Sequence, residues 1–241
     1  MIQVVTKCGN AGQYIERCEY TLKRQLYDQW RQAIVIDAAT DDTFSRAAPF
    51  FQAGKIEIVY SKKKQWGMKS ILDGIDILKP ADEDIIAIYD GDDWLPREDV
   101  FNIVEKEYVI NNCLLTYGSF SRESTGNKCG VSGKFAFDIP VRKQVWHGSH
   151  LKTFKYKLFK KIPDEYFRGP DGGYIQYCDD MVFMMAMVEL AGHKKCVHIP
   201  EVLYVYNDLN PESSYYDENE RPKVKALESW VREMQPLKQV F

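Results

Sequence analysis

The sequence predicts an α/β fold: a mixed, mainly parallel sheet flanked by helices, forming one domain with a short helical tail. Three observations carry this. Short apolar runs (IQVVT, AIVI, IEIVY, IIAIY) alternate with stretches of helical periodicity, the pattern of strand–helix–strand crossovers. At 241 residues the chain can bury one sizeable core, and it has no internal repeat or low-complexity segment. The fourth run, Ile85 to Leu95, passes directly from apolar residues into Asp90-Gly91-Asp92-Asp93. The carboxyl end of a strand buried on both faces opens on a ligand crevice in such sheets.

Taken in order, Ile2 to Thr6 predicts the first strand, with Asn10 as the cap of a helix carrying Tyr14, Cys18, Leu22 and Leu26 at helical spacing. Ala33 to Ile36 predicts the second strand, stopping at Asp37, and Thr40 to Thr43 a turn or helix start. Ile56 to Tyr60 is the third strand, and Gly67 to Leu78 a helix with Met68, Ile71, Leu72, Ile75 and Leu78 on one stripe. After the acidic cluster, Pro96 begins a helix to about Val109, and Leu114 to Tyr117 is a further strand. Gly118 to Pro140, rich in Ser, Gly and Lys, reads as a hairpin or loop over the crevice. His147 to His150 leads into a predicted helix, LKTFKYKLFKKI. Asp179-Asp180 opens a helix so apolar (MVFMMAMVELA) that it must be buried. Ile199 to Tyr206 is extended, Asn207 to Ser214 is loop, and Val224, Leu227, Trp230, Met234 and Leu237 share one face of a last helix. The domain is placed at 1–215 and the tail at 216–241, packed on the domain, with dimerisation or a membrane surface as the tail's other uses.

Composition narrows the function. Lys plus Arg is 32 against 35 Asp plus Glu, a net charge of -3, which argues against nucleic acid as the main partner. No apolar run reaches the roughly 18 residues of a membrane helix, and the N-terminus reads as no signal segment. Six scattered cysteines without a Cys-x-x-Cys, and no Asn-x-Ser/Thr acceptor, fit reduced thiols in a cytoplasmic protein, with a peripheral membrane position as the alternative.

The acidic cluster has a plain reading, a solvated turn after a strand, since Asp-Gly is a common turn pair. Three carboxylates in four residues repel one another unless a cation, water or a basic neighbour screens them, and Trp94 and Leu95 set them against an apolar wall. Asp90 and Asp92, two apart on a strand, point to one side and can share a divalent cation, Mn2+ or Mg2+, with a diphosphate supplying further oxygens. Asp93 points away. Asp179-Asp180 has its own plain reading as helix capping. His147 and His150 are either ligand contacts or metal ligands, or capping and surface histidines. Trp66, Trp94 and Trp146 either offer ring faces to a ligand or pack the core. Cys178, His193, Cys196 and His198 lack the paired hooks of a zinc site.

With these parts in order the chain resembles a family 2 glycosyltransferase of the GT-A (Rossmann-like) fold, from about Ile2 to Ser214. Asn10, Tyr14-Ile15, Cys18 and Gln25 match the family's opening, IVIDAATDDT its second strand and turn, and GMKSILDGI its Gly-containing helix. AIYDGDDWL matches the Asp-x-Asp-Asp motif, CDDMVFMMAMVELAG the helix opened by an acidic pair, and IPEVLYVYND with the later Ser-Ser its closing strand and loop.

The resemblance implies a metal-dependent inverting transferase that moves a sugar from a nucleotide-diphosphate donor, UDP-linked by default, to a hydroxyl acceptor on a glycan or other molecule. Thr6 and Asp37 would hold the base, with Asn10 and Gly91 beside the nucleotide. Asp90 would hold the ribose or a water of the metal, and Asp92 the metal itself. Asp180 would be the general base, with Asp179 as its alternative, and Trp94, His147 and His150 would face sugar or acceptor. The chain departs from the pattern at Ala38, where a second Asp is usual, and near Leu72-Asp73, where an Arg-Asn pair is missing. Lys69, or Lys62 to Lys64, is then the phosphate partner. Two other functions share these ingredients: an Asp-x-Asp phosphohydrolase using Thr116 and Asp179-Asp180, and a domain of this fold that binds nucleotide or glycan without turnover.

Overall fold

A computed structural model describes residues 1–129, 133–211 and 218–241. The expected boundary at 215/216, and the Ser213-Ser214 end of the resemblance, lie outside them. Strands β1 (Ile2–Cys8), β2 (Trp30–Asp37), β3 (Ile56–Ser61) and β4 (Ile85–Asp90) are joined by helices α1 (Ile15–Lys23), α2 (Thr43–Ala47) and α3 (Trp66–Leu78). They form the parallel part of the sheet, in spatial order β3-β2-β1-β4. Helix α4 (Val100–Asn111) leads to β5 (Leu115–Arg122) and the short β6 (Lys128–Cys129). Strand β7 (Ser149–Lys155) runs antiparallel between β4 and β5, and β8 (Cys196–Tyr206) adds to β5 in parallel. Helices α5 (Tyr156–Phe159), α6 (Asp179–Ala191) and α7 (Arg221–Glu233) complete the described chain. The result is the mixed, mainly parallel α/β sheet expected.

Alternation along each strand supplies both faces. Ile86 and Ile88 join Val5, Met68, Phe154 and the apolar residues of α6 in one core, while Ile85, Ala87 and Tyr89 join Ile2, Val4, Ile15 and Val104 in the other. Each such buried aliphatic side chain contributes about 1.5–3 kcal/mol. A strand with two buried faces reads as an unbroken apolar run, which is why β1 to β4 are visible in the sequence.

Three local expectations are corrected. The predicted helix at LKTFKYKLFKKI is strand through Lys155 and only one helical turn beyond it. Leu151, Phe154, Leu158 and Phe159 are spaced as on a helix, but β4 and β5 leave a slot that only an extended chain fills. There Leu151 packs into one core and Phe154 into the other. Asn10 caps no helix: α1 starts at Ile15, and the Asn10 amide oxygen accepts the Thr40 backbone N–H at 2.8 Å, tying the loop after β1 to the loop after β2. Helix α4 begins at Val100, not Pro96.

Candidate functional site

Strands β2 and β3 lie on one side of β1, and β4 lies on the other. The chain order therefore reverses between β1 and β4, and ligands bind at the carboxyl ends of strands at such a switch point. A cleft of about 790 Å³ opens there, lined among others by Lys7, Asn10, Asp37, Lys64, Trp66, Asp90, Asp92, Trp146, Asp179, Asp180 and Asn210.

The floor is set by register. Lys7 of β1 stands opposite Asp90 of β4, and its ammonium lies 2.5 Å from the Asp90 carboxylate and 3.5 Å from Asp179. Burial lowers the Lys7 pKa, but Asp179 and Asp90 more than reverse this and hold it well above its ordinary value. Burial pushes the Asp90 carboxyl up, and Lys7, His150 and Lys152 outweigh it, leaving the pKa below its usual value. Gly91 is required where the two strand ends meet, because a Cβ there would sit 2.4 Å from that of Cys8. The Asp90 backbone N–H is donated to the Tyr204 hydroxyl at 2.9 Å.

Asp92 and Asp93, in the turn after β4, take different partners. The Asp92 carboxylate accepts the Asn210 side-chain N–H at 2.7 Å, and burial, then Asp90, pushes its pKa up. Asp93 is fully buried and accepts the Asn207 backbone N–H at 2.7 Å, fixing the segment after β8 to the cluster. Burial, Asp92 and Asp90 raise its pKa far above the carboxylate range.

The acidic pair enters from the opposite wall on the first turn of α6, whose N-cap Cys178 makes no side-chain capping bond. Asp179 faces Lys7, and Gly67 makes room for it: a Cβ on Gly67 would lie 2.5 Å from its Oδ2. Asp180 is the more open, 32% exposed against 16% for Asp179. Its carboxylate is 3.3 Å from the ammonium of Lys152, a β7 lysine that is itself 4% exposed. The Lys152 ammonium also lies 3.3 Å from the His150 ring.

Several expected site residues take other places. Thr6 is fully buried and accepts a hydrogen bond from the Gln32 side chain at 2.8 Å, away from the cleft. Asp37 lines the cleft, yet its two oxygens accept the backbone N–H groups of Gln65 and Trp66, each at 2.7 Å. Those bonds hold Trp66 in a left-handed conformation (φ 69°) that a bulky residue rarely adopts, so Asp37 builds the wall that presents Trp66. Lys69 pairs with Asp73 outside the cleft. Trp94 is buried under the Arg17 guanidinium, and His150 stacks on Tyr204 with centroids 4.4 Å apart. His147 contacts the Phe135 ring. Neither histidine nor Trp94 lines the cleft, whereas Trp66 and Trp146 do. Thr116, needed by the phosphohydrolase reading, is fully buried and shares a hydrogen bond with Thr153.

Lys7, Lys152 and Asn210 were missed by sequence reasoning. Lys7 follows the apolar run that predicts β1, and only its register with Asp90 in the sheet reveals its use. Lys152 is disguised by five other lysines between positions 143 and 161.

The protein-family description "Glycosyl transferase family 2" matches residues 3–165. No curated protein matches the chain. Among solved structures, S. aureus TarS in complex with UDP superimposes with a TM-score of 0.68 at 14% identity, covering 95% of this chain and 64% of that one. TarS in complex with UDP-GlcNAc gives 0.67 at 13%, covering 95% and 66%. The mannosyltransferase PcManGT from Pyrobaculum calidifontis, in complex with GDP-Man and Mn2+, gives 0.65 at 16%, covering 98% and 65%. Another TarS structure is 13% identical, with a TM-score of 0.65, and the chain spans only 36% of it. The sheet order, the acidic cluster at its switch point and the family match over most of the chain agree: this chain belongs to glycosyl transferase family 2.

Proposed function

We propose that the chain transfers a sugar from a nucleoside-diphosphate donor, UDP-linked by default, to a hydroxyl acceptor, with inversion at the anomeric carbon. One observation carries the reading: Asp90 and Asp92 at the sheet's switch point and Asp179-Asp180 at the start of α6 line one cleft. The fold shared with structures bound to UDP, UDP-GlcNAc and GDP-Man supports it.

In this reading Asp180 is the base. It is the more exposed of the pair, and Asp179 is turned toward Lys7. Asp180 takes the proton of the acceptor hydroxyl as that oxygen bonds to the anomeric carbon. The bond from that carbon to the diphosphate oxygen breaks on the opposite face, and its electron pair leaves with the diphosphate. One displacement without an enzyme nucleophile inverts the centre. Trp66 and Trp146, on the cleft wall, offer faces for the base or sugar.

The residues fit a divalent cation. Asp92 is a buried carboxyl that makes no salt bridge among the described residues, in contrast to Asp90 with Lys7. Among the described residues no group of three His, Cys, Asp or Glu could hold an ion alone. Asp92, with Asp90, would hold Mn2+ or Mg2+ together with phosphate and water oxygens, as such ions are commonly held at nucleotide sites. Bound there, the ion would offset charge developing on the leaving diphosphate.

The test is Asp180→Asn. Transfer from the accepted donor should fall at least about a hundredfold, the scale of a general base, while donor binding stays near wild type. Full activity in that variant would remove Asp180 as base. Donor binding by the unmodified protein without turnover on any acceptor would favour a binding domain instead.

A further inference from the structure

The cleft has an imbalance of charge. Asp90, Asp92, Asp179 and Asp180 all line it, and a nucleoside diphosphate would bring further negative charge into the same space. Only two lysines and no arginine line the cleft among the described residues. Lys64 lies against Asp37, 3.4 Å from its carboxylate, away from the cluster. The other is Lys7, on the floor between Asp90 and Asp179.

Three features make Lys7 more than a counter-ion. It stands at the carboxyl end of β1, beside the strand where the chain order reverses, so it faces the crevice in which ligands bind in open α/β sheets. Its side chain is 22% exposed and lines the cleft, so the ammonium is not sealed beneath its partners. An ammonium has three N–H donors; Asp90 takes one, and the nearest Asp179 oxygen, 3.5 Å away, accepts no hydrogen bond, which leaves donors for a ligand. Of the lysines anticipated from the sequence, Lys62, Lys63 and Lys69 do not line the cleft, and Lys64 lines it beside Asp37 rather than between Asp90 and Asp179.

We propose that Lys7 is a donor-binding residue whose ammonium receives the diphosphate, giving nucleotide binding a component that needs no metal. This rests on the nucleotide-sugar reading above. The ammonium supplies fixed positive charge to the phosphates, as a point charge without the directional fork of an arginine. Recognition through Lys7 therefore selects a diphosphate over a monophosphate.

The experiment is titration calorimetry of UDP, UMP, GDP and GMP into the full chain, in EDTA and in Mn2+, for wild type, Lys7→Met and Lys7→Arg. In EDTA, wild type should bind the diphosphate more tightly than the monophosphate. Lys7→Met should lose about tenfold in diphosphate affinity, equivalent to about 1.4 kcal/mol, with a smaller effect on the monophosphate, and Lys7→Arg should retain the preference. If Lys7→Met melts below the assay temperature, Lys7→Gln provides the same comparison. A Lys7→Met protein that binds diphosphate in EDTA as well as wild type, or better, overturns the proposal and leaves Lys7 as a neutraliser of carboxylates. Failure of wild type to bind any of these nucleotides even with Mn2+ overturns the functional reading, and this proposal with it.

Discussion

Glu19 shows how much one buried acid can govern. It lies on α1 under the sheet with no exposed surface, and its carboxyl accepts the Gln32 side-chain N–H at 2.7 Å. Burial pushes its pKa up to about 8, against an ordinary value of 4.5. The folded state thus holds a proton that the unfolded state releases between these values, and stability falls as pH rises through that window. Glu19→Gln is expected to raise the melting temperature at pH 8 and to leave it near wild type at about pH 4.5; equal melting temperatures at both would contradict the buried neutral acid. Such residues are poorly legible in sequence, because a Glu beside Cys18 in an amphipathic helix looks solvated. Asp90 and Asp92 were legible as acids at a strand's end that face one cleft, although the strand spacing was not the cause: β4 stops at Asp90, and Asp92 reaches the cleft from the turn beyond it. Lys7, Lys152 and Asn210 were not, since each acquires its role from a partner at least 28 residues away.

Helix α7 is where an element, rather than a residue, completes the site. Val224 and Glu228 line the cleft, and Val231 is fully buried against α6. The helix is anchored by Arg142, a buried guanidinium that pairs with Glu189 of α6 at 2.6 Å and donates to the Val231 carbonyl at 2.5 Å. Arg232 returns the contact, donating to the Gln144 carbonyl at 2.9 Å. Removing one member of a buried pair strands the other, at a cost of about 3–5 kcal/mol. Arg142→Ala should lower the unfolding free energy measured by denaturant titration by that amount and weaken donor binding as well; a change below about 1 kcal/mol would show that α7 is held by its apolar face alone. The apolar face of α7 was readable from its spacing, but its place in the cleft wall was not. Strand β7 was misread for a related reason: the spacing of Leu151, Phe154, Leu158 and Phe159 suits a helix, and pairing with β4 and β5 decides otherwise.

At the scale of the whole molecule, function follows from where the chain order reverses. The parallel half was legible because buried parallel strands leave unbroken apolar runs, and the crossover rule then orders them. The antiparallel half depends on long-range pairing, which local periodicity does not contain. The reversal beside β1 brings Lys7 to Asp90, and α6 carries Asp179-Asp180 onto the same floor. No helix among the described residues is long and apolar enough to cross a membrane. The most direct measurement is titration of UDP-, GDP- and dTDP-sugars into the wild-type chain and Asp92→Ala, with and without Mn2+. The expected result is saturable binding of at least one donor, strengthened by Mn2+ in wild type and not in Asp92→Ala. Wild-type protein that binds none of these donors under either condition would contradict the assignment of this cleft to a nucleotide sugar.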